Sequence, residues 1–533
     1  MKKINLTFPF HPFLLAFSPI LFFYAADINQ LLPNVLIVPL LITFLAVGLL
    51  FLILYLIFKN KEKVSLWLSV FILIFFAHGQ AQGFLKINQI VIGKLVISEN
   101  KLIFVLWFIL LGAVTVLFLK TRKKLYSTVK FFNIVGLILI AFSLFQIFSY
   151  EFKHQKVFSS QKSYDSETNY NLPVPTQEIS EKPDIYYFIL DRYSSNKTLK
   201  NTYHYDNAAF TEFLQDKGFY VTESSFANYE NTPLSLSSSL NLDYIQALDE
   251  EVAKNPTSFE DGLYDLLNNH RAGNFLKSLG YTYYHLGSWW QSTNQNMSAD
   301  YNLRPMDEFT IKLLDQTILP SVLMQASKVF HFKNYYNISS VHYAIALEQF
   351  QKIAEISHQN SPKFILAHIL LPHPPYVFNE NCNRIYELQA DIEKKDTLPY
   401  YLNQLTCTNQ KLETLINVIT SNSETQPIII LQADEGSYPI VNPVNQTYEM
   451  SGNETLREKF GIFSAYYFRI LTGLFFIPTF RRLIPCAWFL TTILRPGQKF
   501  YRIRAIFPKE RIIYSNLSTL LIGLPQKNSQ INS

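Results

Sequence analysis

The sequence predicts a two-part chain: an N-terminal five-helix transmembrane module, then an extracytoplasmic α/β domain whose mainly parallel sheet is covered by helices on both faces. Three observations predict it. Residues 1–150 hold five apolar blocks with few charges. Residues 151–182 are polar and rich in Pro, Ser and charge, a linker composition. From residue 183 onward, short apolar runs alternate with amphipathic helical stretches, the pattern of strands joined by crossover helices.

The blocks run over about 10–26, 35–58, 64–78, 102–119 and 131–150. Most approach the ~20 residues a helix needs to cross a bilayer. The third is the shortest. Basic residues set the direction. Lys2 and Lys3 precede the first block, Lys59, Lys61 and Lys63 follow the second, and Lys120, Arg122, Lys123, Lys124 and Lys130 follow the fourth. If every block spans, these segments share one side, the cytoplasmic one, and all that follows residue 151 lies outside a bacterial-type inner membrane. The first block is read as a span, because no small-residue cleavage site follows it and further spans do.

Bulk properties exclude several classes. At 533 residues the chain exceeds one compact domain. Its net charge of +5 is mild, and no basic stripe interleaves with aromatics, so nucleic acid is not a partner. None of the three cysteines, Cys382, Cys407 and Cys486, sits in a CxxC, which removes zinc-finger and thioredoxin readings. Cys382 and Cys407 either pair or remain separate thiols.

In the outer domain, "DIYYFILD", "GFYVTES", "YTYYHLGS", "KFILAHILL" and "PIIILQAD" read as buried strands. "NAAFTEFLQDKG", "FEDGLYDLLNNHRAGNFLKSLG" and "YYLNQLTCTNQKLETLINVITS" read as helices. Ligands of such sheets bind beyond the carboxyl ends of the strands. The candidates there are Asp191 with Arg192, Asp434 with Glu435, His285 near the end of its strand, and His373 among prolines. Carboxylates that share a dry site repel one another and are tolerated around a cation. In "NYENTPLSLSSSLN", Thr232 and Pro233 read as a helix start, Thr at the N-cap and Pro at the first helical position. The serine-rich turn behind them offers N–H groups to a phosphate. A threonine hydroxyl is a weak nucleophile until a metal or base activates it.

The stretches "PDIYYFILDRYSS", "NYENTPLSLSSSLN", "AHILLPHPPYVF" and "IIILQADEG" together resemble the sulfatase-like branch of the alkaline phosphatase superfamily. Membrane-anchored lipoteichoic acid synthases and phosphoethanolamine transferases belong to that branch. The resemblance covers roughly residues 183–460, and the membrane part is similar in layout only. It implies Asp191, Thr232, Asp434 and Glu435 as ligands of one divalent ion, and Thr232 as the nucleophile that takes and passes on a phosphoryl group. It implies His285, His373 and Arg192 on the substrate side. No cysteine stands in the Cys-x-Pro-x-Arg setting of arylsulfatases, so sulfate-ester hydrolysis by that route is disfavoured.

Two departures from the family pattern stand out. The usual Asp-His-Gly is here Asp434-Glu435-Gly436. An all-oxygen ligand set favours Mg²⁺ or Mn²⁺, with Zn²⁺ the alternative. Residues 461–533 form a basic, apolar segment in which no closing strands are legible, and arginines interrupt its apolar runs, which disfavours a sixth span. The expected protein is a metal-dependent phosphoester transferase or hydrolase acting on an envelope lipid or glycopolymer beside membrane lipids. The alternative is a catalytically inactive relative with a binding or structural role in the envelope.

Overall fold

The computed structural model describes residues 8–28, 31, 33–85, 90–92, 95–97, 99–122, 124–161, 182–245, 259–330, 338–386, 392–393, 395–437, 453–468 and 479–481. Most of the linker and most of the segment after residue 468 lie outside the described residues.

Five apolar helices come first: α1 (His11–Ala26), α2 (Ile37–Phe58), α3 (Lys61–Leu85), α4 (Glu99–Lys120) and α5 (Tyr126–Gln161). Among the described residues, four segments, Pro33–Phe58, Lys61–Gly83, Leu102–Lys120 and Tyr126–Phe152, are long and apolar enough to cross a membrane. The expectation of five spans is corrected by one. α1 has 16 residues with Pro19 inside it, and at ~1.5 Å per residue it reaches only ~24 Å against a hydrocarbon thickness of ~30 Å. Ile37, Leu41, Leu45 and Leu49 leave α2 with an exposed apolar face, as an element solvated by lipid requires.

The strands in chain order are β1 (Ile90–Ile92), β2 (Leu95–Ile97), β3 (Ile185–Leu190), β4 (Tyr220–Val221), β5 (Ser224–Phe226) and β6 (Thr282–Leu286). They continue with β7 (Tyr301–Leu303), β8 (Lys363–Ile369), β9 (Ile428–Gln432), β10 (Gly461–Ile462), β11 (Ser464–Tyr467) and β12 (Thr479–Arg481). β1 and β2 pair with each other outside the domain. The main sheet has the order β4-β11-β9-β3-β8-β6-β7. Its strands β9, β3, β8, β6 and β7 run parallel, while β11 is antiparallel to both neighbours. A smaller sheet pairs β10, β5 and β12.

The helices used below are α6 (Thr232–Asn241), α7 (Glu308–Asp315), α8 (Leu319–Phe330), α9 (Ile338–Ser357), α10 (Leu398–Asn422) and α11 (Asn453–Phe460). β3 explains the two-sided cover. Its side chains alternate between faces. Tyr186, Phe188 and Leu190 enter one core with Leu405, Leu412 and Ile416 of α10. Ile185, Tyr187 and Ile189 enter a second core with Leu236 and Leu240 of α6. A central parallel strand buried on both faces must read as a continuous apolar run, and this one does.

The chain after residue 460 does supply strands, contrary to the sequence expectation. β10 and β11 are two and four residues long and join different sheets, so "GIFSAYY" carries no single periodicity. Cys382 and Cys407 form a disulfide. It fastens the loop after β8 to α10, and chain-entropy reasoning gives such a bridge about 3 kcal/mol.

The domain docks on the helix bundle. Phe309 of α7 packs on Phe23 and Tyr24 of α1. Gly79 N–H donates to Gln316 O at 2.9 Å, and Ile318 N–H donates to Phe75 O at 2.9 Å. A Cβ at Gly79 would stand 2.7 Å from the Gln316 Cα. Gly79→Leu should therefore open this seam. Hydrogen exchange should speed up at the amides of residues 79 and 318 while β3 and β8 stay protected; unchanged exchange at both would refute the assignment.

His270 precedes the helix Arg271–Ser278 and caps it: its Nδ1 accepts the Gly273 N–H at 2.9 Å. That fixes the proton on Nε2, which faces Tyr283 Oη at 2.9 Å. Burial, with His285 nearby, lowers the His270 pKa to about 3. The unfolded chain gains a proton near pH 6.5 that the folded domain refuses until about 3, so stability falls across that window on acidification. His270→Asn keeps an acceptor for the cap and should reduce the pH slope of unfolding by about one proton, measured by denaturant titration between those limits.

Candidate metal centre

Three adjacent parallel strands deliver the site. β3, flanked by β8 and β9, ends at Leu190, and Asp191 follows. β9 ends at Gln432, two residues before Asp434. His368 is the penultimate residue of β8, level with Ile189 of β3. Asp191, His368 and Asp434 each offer a ligand atom, all within 4.8 Å of one another, and all three are buried. Neighbouring strands lie ~4.8 Å apart, so side chains leaving three consecutive strand ends meet without backbone distortion.

The turn after β3 is shaped for this meeting. Arg192 takes a left-handed φ of 60°, a costly conformation for a residue with a Cβ. It directs the Arg192 N–H to Asp434 Oδ1 at 3.2 Å. The other oxygen, Oδ2, accepts the Thr232 hydroxyl at 2.6 Å. Ser235 Oγ donates to the Asp434 backbone carbonyl at 2.6 Å, which pins the first turn of α6 to the end of β9. The N-cap of α6 is Asn231, whose side chain accepts the Leu234 N–H at 3.1 Å, rather than Thr232. Thr232 is thereby the first helical residue, and its hydroxyl is released from capping to face Asp434.

Among the described residues, two buried polar atoms at the centre are poorly satisfied: Asp191 Oδ1 meets no hydrogen-bond partner, and His368 Nε2 meets only the same carboxylate at ion-pair distance. Orphaned buried groups carry a desolvation cost. His368 Nε2 stands 3.3 Å from Asp191 Oδ2. A carboxylate oxygen and an imidazole nitrogen left open beside a second carboxylate are a donor set suited to a divalent cation. The residues fit such an ion.

Glu435 stands apart from this set. Its Oε1 accepts Arg192 Nε at 3.0 Å and its Oε2 accepts Lys459 Nζ at 2.6 Å. The ligand role expected for Glu435 gives way here to ion pairing, because Lys459 on α11 reaches it from outside the sheet. Gly436 is needed for that approach: its N–H donates to Lys459 O at 2.7 Å, and a Cβ there would lie 2.3 Å from Glu458 O. Burial raises the Glu435 pKa to about 7, with repulsion from Asp434 and Asp191, against the pull of Lys459 and Arg192. Burial also opposes charge on Asp191, but His373, His368 and Arg192 outweigh it and hold that carboxyl at about 2.

The expected substrate-side residues separate. Arg192 is partly exposed at the site and bound to Glu435. His373 is tied to the turn after β8: its N–H donates to Asp191 O at 3.2 Å, and its ring lies 6.1 Å from that of Trp289. Burial lowers its pKa to about 4. His285 is buried within β6 and bonds the Thr293 carbonyl at 2.9 Å, so it supports the site from behind. His368 was missed by sequence reasoning. It lies inside an apolar strand, and only the register of β8 with β3 aims it at Asp191.

The family model described as Sulfatase matches residues 264–462. That segment includes His368 and Asp434 and begins after Asp191 and Thr232. No curated protein matches the chain. Among solved structures, similar ones include the C-terminal periplasmic domain of EptC from Escherichia coli in complex with Zn, at 13% identity and a TM-score of 0.36, covering 55% of this chain and 76% of that one. Another is the integral membrane lipooligosaccharide phosphoethanolamine transferase A of Neisseria meningitidis, at 13% identity and a TM-score of 0.34, covering 85% of this chain and 88% of that one. A third is the putative sulfatase yidJ of Bacteroides fragilis, at 14% identity and a TM-score of 0.33, covering 55% and 70%. Behind its apolar helices, this chain carries an α/β domain of which residues 264–462 match the Sulfatase family model.

Proposed function

We propose that this chain is a membrane-anchored, metal-dependent phosphoester transferase or hydrolase that works through a phospho-threonine at Thr232. One observation carries the reading: the Thr232 hydroxyl is hydrogen-bonded to Asp434, beside the open donor atoms of Asp191 and His368. Asp191, His368 and Asp434 would hold the ion, with the Thr232 oxygen next to it. When bound, a divalent cation supplies Lewis acidity and favours the alkoxide of a neighbouring hydroxyl.

This chain's residues do the rest. Thr232 Oγ1 attacks phosphorus and its proton passes to Asp434 Oδ2, 2.6 Å away. The P–O bond to the leaving group breaks, that oxygen departs with a proton taken from water, and a phosphoryl group stays on Thr232. An acceptor hydroxyl or water then attacks phosphorus, the Oγ1–P bond breaks, Thr232 recovers its proton from Asp434, and the acceptor's proton passes to solvent. The positive end of the α6 dipole, at Thr232, favours negative phosphoryl oxygens there. Arg192 and Lys459 counter the charge of Glu435 and so keep its negative field from adding to that of the phosphoryl group. The imidazole among the donors moves the set away from the all-oxygen one that favours Mg²⁺ and toward Zn²⁺ or Mn²⁺.

The membrane setting supports an envelope lipid or glycopolymer as substrate. The lysines after α2 and α4 would lie in the cytoplasm and the catalytic domain outside. A disulfide between Cys382 and Cys407 accords with an oxidising compartment.

Thr232→Ala should lower phosphodiesterase turnover of bis-p-nitrophenyl phosphate by about a thousand-fold or more, and should abolish a phosphoryl adduct that mass spectrometry finds on wild-type Thr232. A Thr232→Ala protein with wild-type turnover would refute the mechanism. Stripping the full-length protein with a chelator should remove activity, and Zn²⁺ or Mn²⁺ should restore it. Asp191→Asn should shift the metal needed for half-restoration upward by at least about tenfold, checked by metal titration against activity.

A further inference from the structure

We propose that Thr293 is a positioning residue that holds the His368 imidazole in the tautomer and orientation a metal ion requires. The inference rests on the metal-site reading above and extends it to the shell of groups behind it. Thr293 Oγ1 lies 2.7 Å from His368 Nδ1. For Nε2 to present a lone pair toward Asp191 and Asp434, the ring proton must sit on Nδ1, and a buried Nδ1–H needs an acceptor.

The local hydrogen bonds let Thr293 be that acceptor. Ser288 Oγ accepts the Trp290 N–H at 3.1 Å and lies 2.8 Å from Thr293 Oγ1. With its own proton donated to Ser288 Oγ, Thr293 Oγ1 has a lone pair for the Nδ1–H of His368, the arrangement a bound cation would select.

The Thr293 backbone is fixed as well. Its carbonyl accepts the Ser288 N–H at 3.2 Å, and His285 Nε2 reaches the same oxygen at 2.9 Å. The His285 proton is set from further back. His270 Nδ1 accepts Gly273 N–H, so its Nε2–H donates to Tyr283 Oη. Tyr283 in turn faces His285 Nδ1 at 3.4 Å, which leaves the His285 proton on Nε2 to donate to Thr293.

Packing closes the loop around this arrangement. A Cβ on Gly287 would meet Asn294 O at 1.9 Å. Gln349 of α9 donates to both Gly287 O, at 2.8 Å, and His368 O, at 2.9 Å. Gly287, which lies against the Thr293–Asn294 backbone, and His368 are thus referenced to one side chain. Thr293 and Ser288 are buried, so water offers no substitute acceptor.

The test uses the full-length protein in detergent, stripped of metal and titrated with Co²⁺, whose ligand-field spectrum reports a nitrogen donor. Thr293→Val should weaken Co²⁺ binding by about 10–100-fold and change the spectrum, as loss of an outer-shell partner does. Thr293→Ser, which restores the hydroxyl, should return affinity and spectrum to wild type. Wild-type affinity and spectrum in Thr293→Val would overturn the proposal, as would equal losses in Val and Ser. Should metal-free melting show that Thr293→Val is unfolded, Ser288→Ala carries the test with the same direction of effect, and no effect there overturns the proposal. A wild type that takes no Co²⁺ overturns the metal site itself and this inference with it. A wild type that binds, loses binding in His368→Ala and keeps it in Thr293→Val overturns the positioning role alone.

Discussion

The repulsion between Asp191 and Asp434 is the constraint on which the rest of this domain is arranged. Both carboxylates are buried, and the parallel pairing of β3 with β9 brings them to adjacent strand ends. Unbalanced, two charges in a low-dielectric site would cost several kcal/mol. The surroundings answer in layers. A backbone N–H and a hydroxyl bind Asp434. A third carboxylate, Glu435, is turned away and matched by two cations. What stays open at the centre is a carboxylate oxygen and an imidazole nitrogen.

The local irregularities follow from that centre. The left-handed Arg192 costs conformational energy, and it is where the chain must turn to bring an N–H to Asp434. Gly436 and Gly287 sit where another strand of backbone passes too close for any side chain. Each marks a loop pressed against the ends of the strands, one delivering Lys459 and the other delivering Thr293. Such departures from regular structure gather at functional sites and persist where the surrounding contacts over-determine them.

The sheet was legible because parallel strands buried on both faces have little choice of residue: "DIYYFIL" and "PIIILQ" announce themselves. Residues placed just past those strands, Asp191 and Asp434, were legible for the same reason. His368 was not, since its neighbours in "KFILAHILL" read as core and its direction is a matter of register across three strands. Glu435, expected among the ligands, is ion-paired to Lys459, which comes from α11 and which no local pattern connects to β9. Asn231 took the cap expected at Thr232, a one-residue shift that propensity alone does not resolve. The closing strands β10 and β11 were hidden by their brevity.

The seam between the domain and the helices bears on how the protein can be handled. Glu308 N–H bonds Trp289 O, and the next residue, Phe309, is sealed against Phe23 and Tyr24. Phe309 and Leu313 complete a core whose other half belongs to the first helices. A fragment cut at residue 183 would turn that core inside out, presenting bare aromatic and aliphatic surface to water only a few residues from the Trp289 loop. Its clumping or stickiness would then describe the cut, and a surfactant or an engineered patch of polar substitutions on α7 would be the remedy.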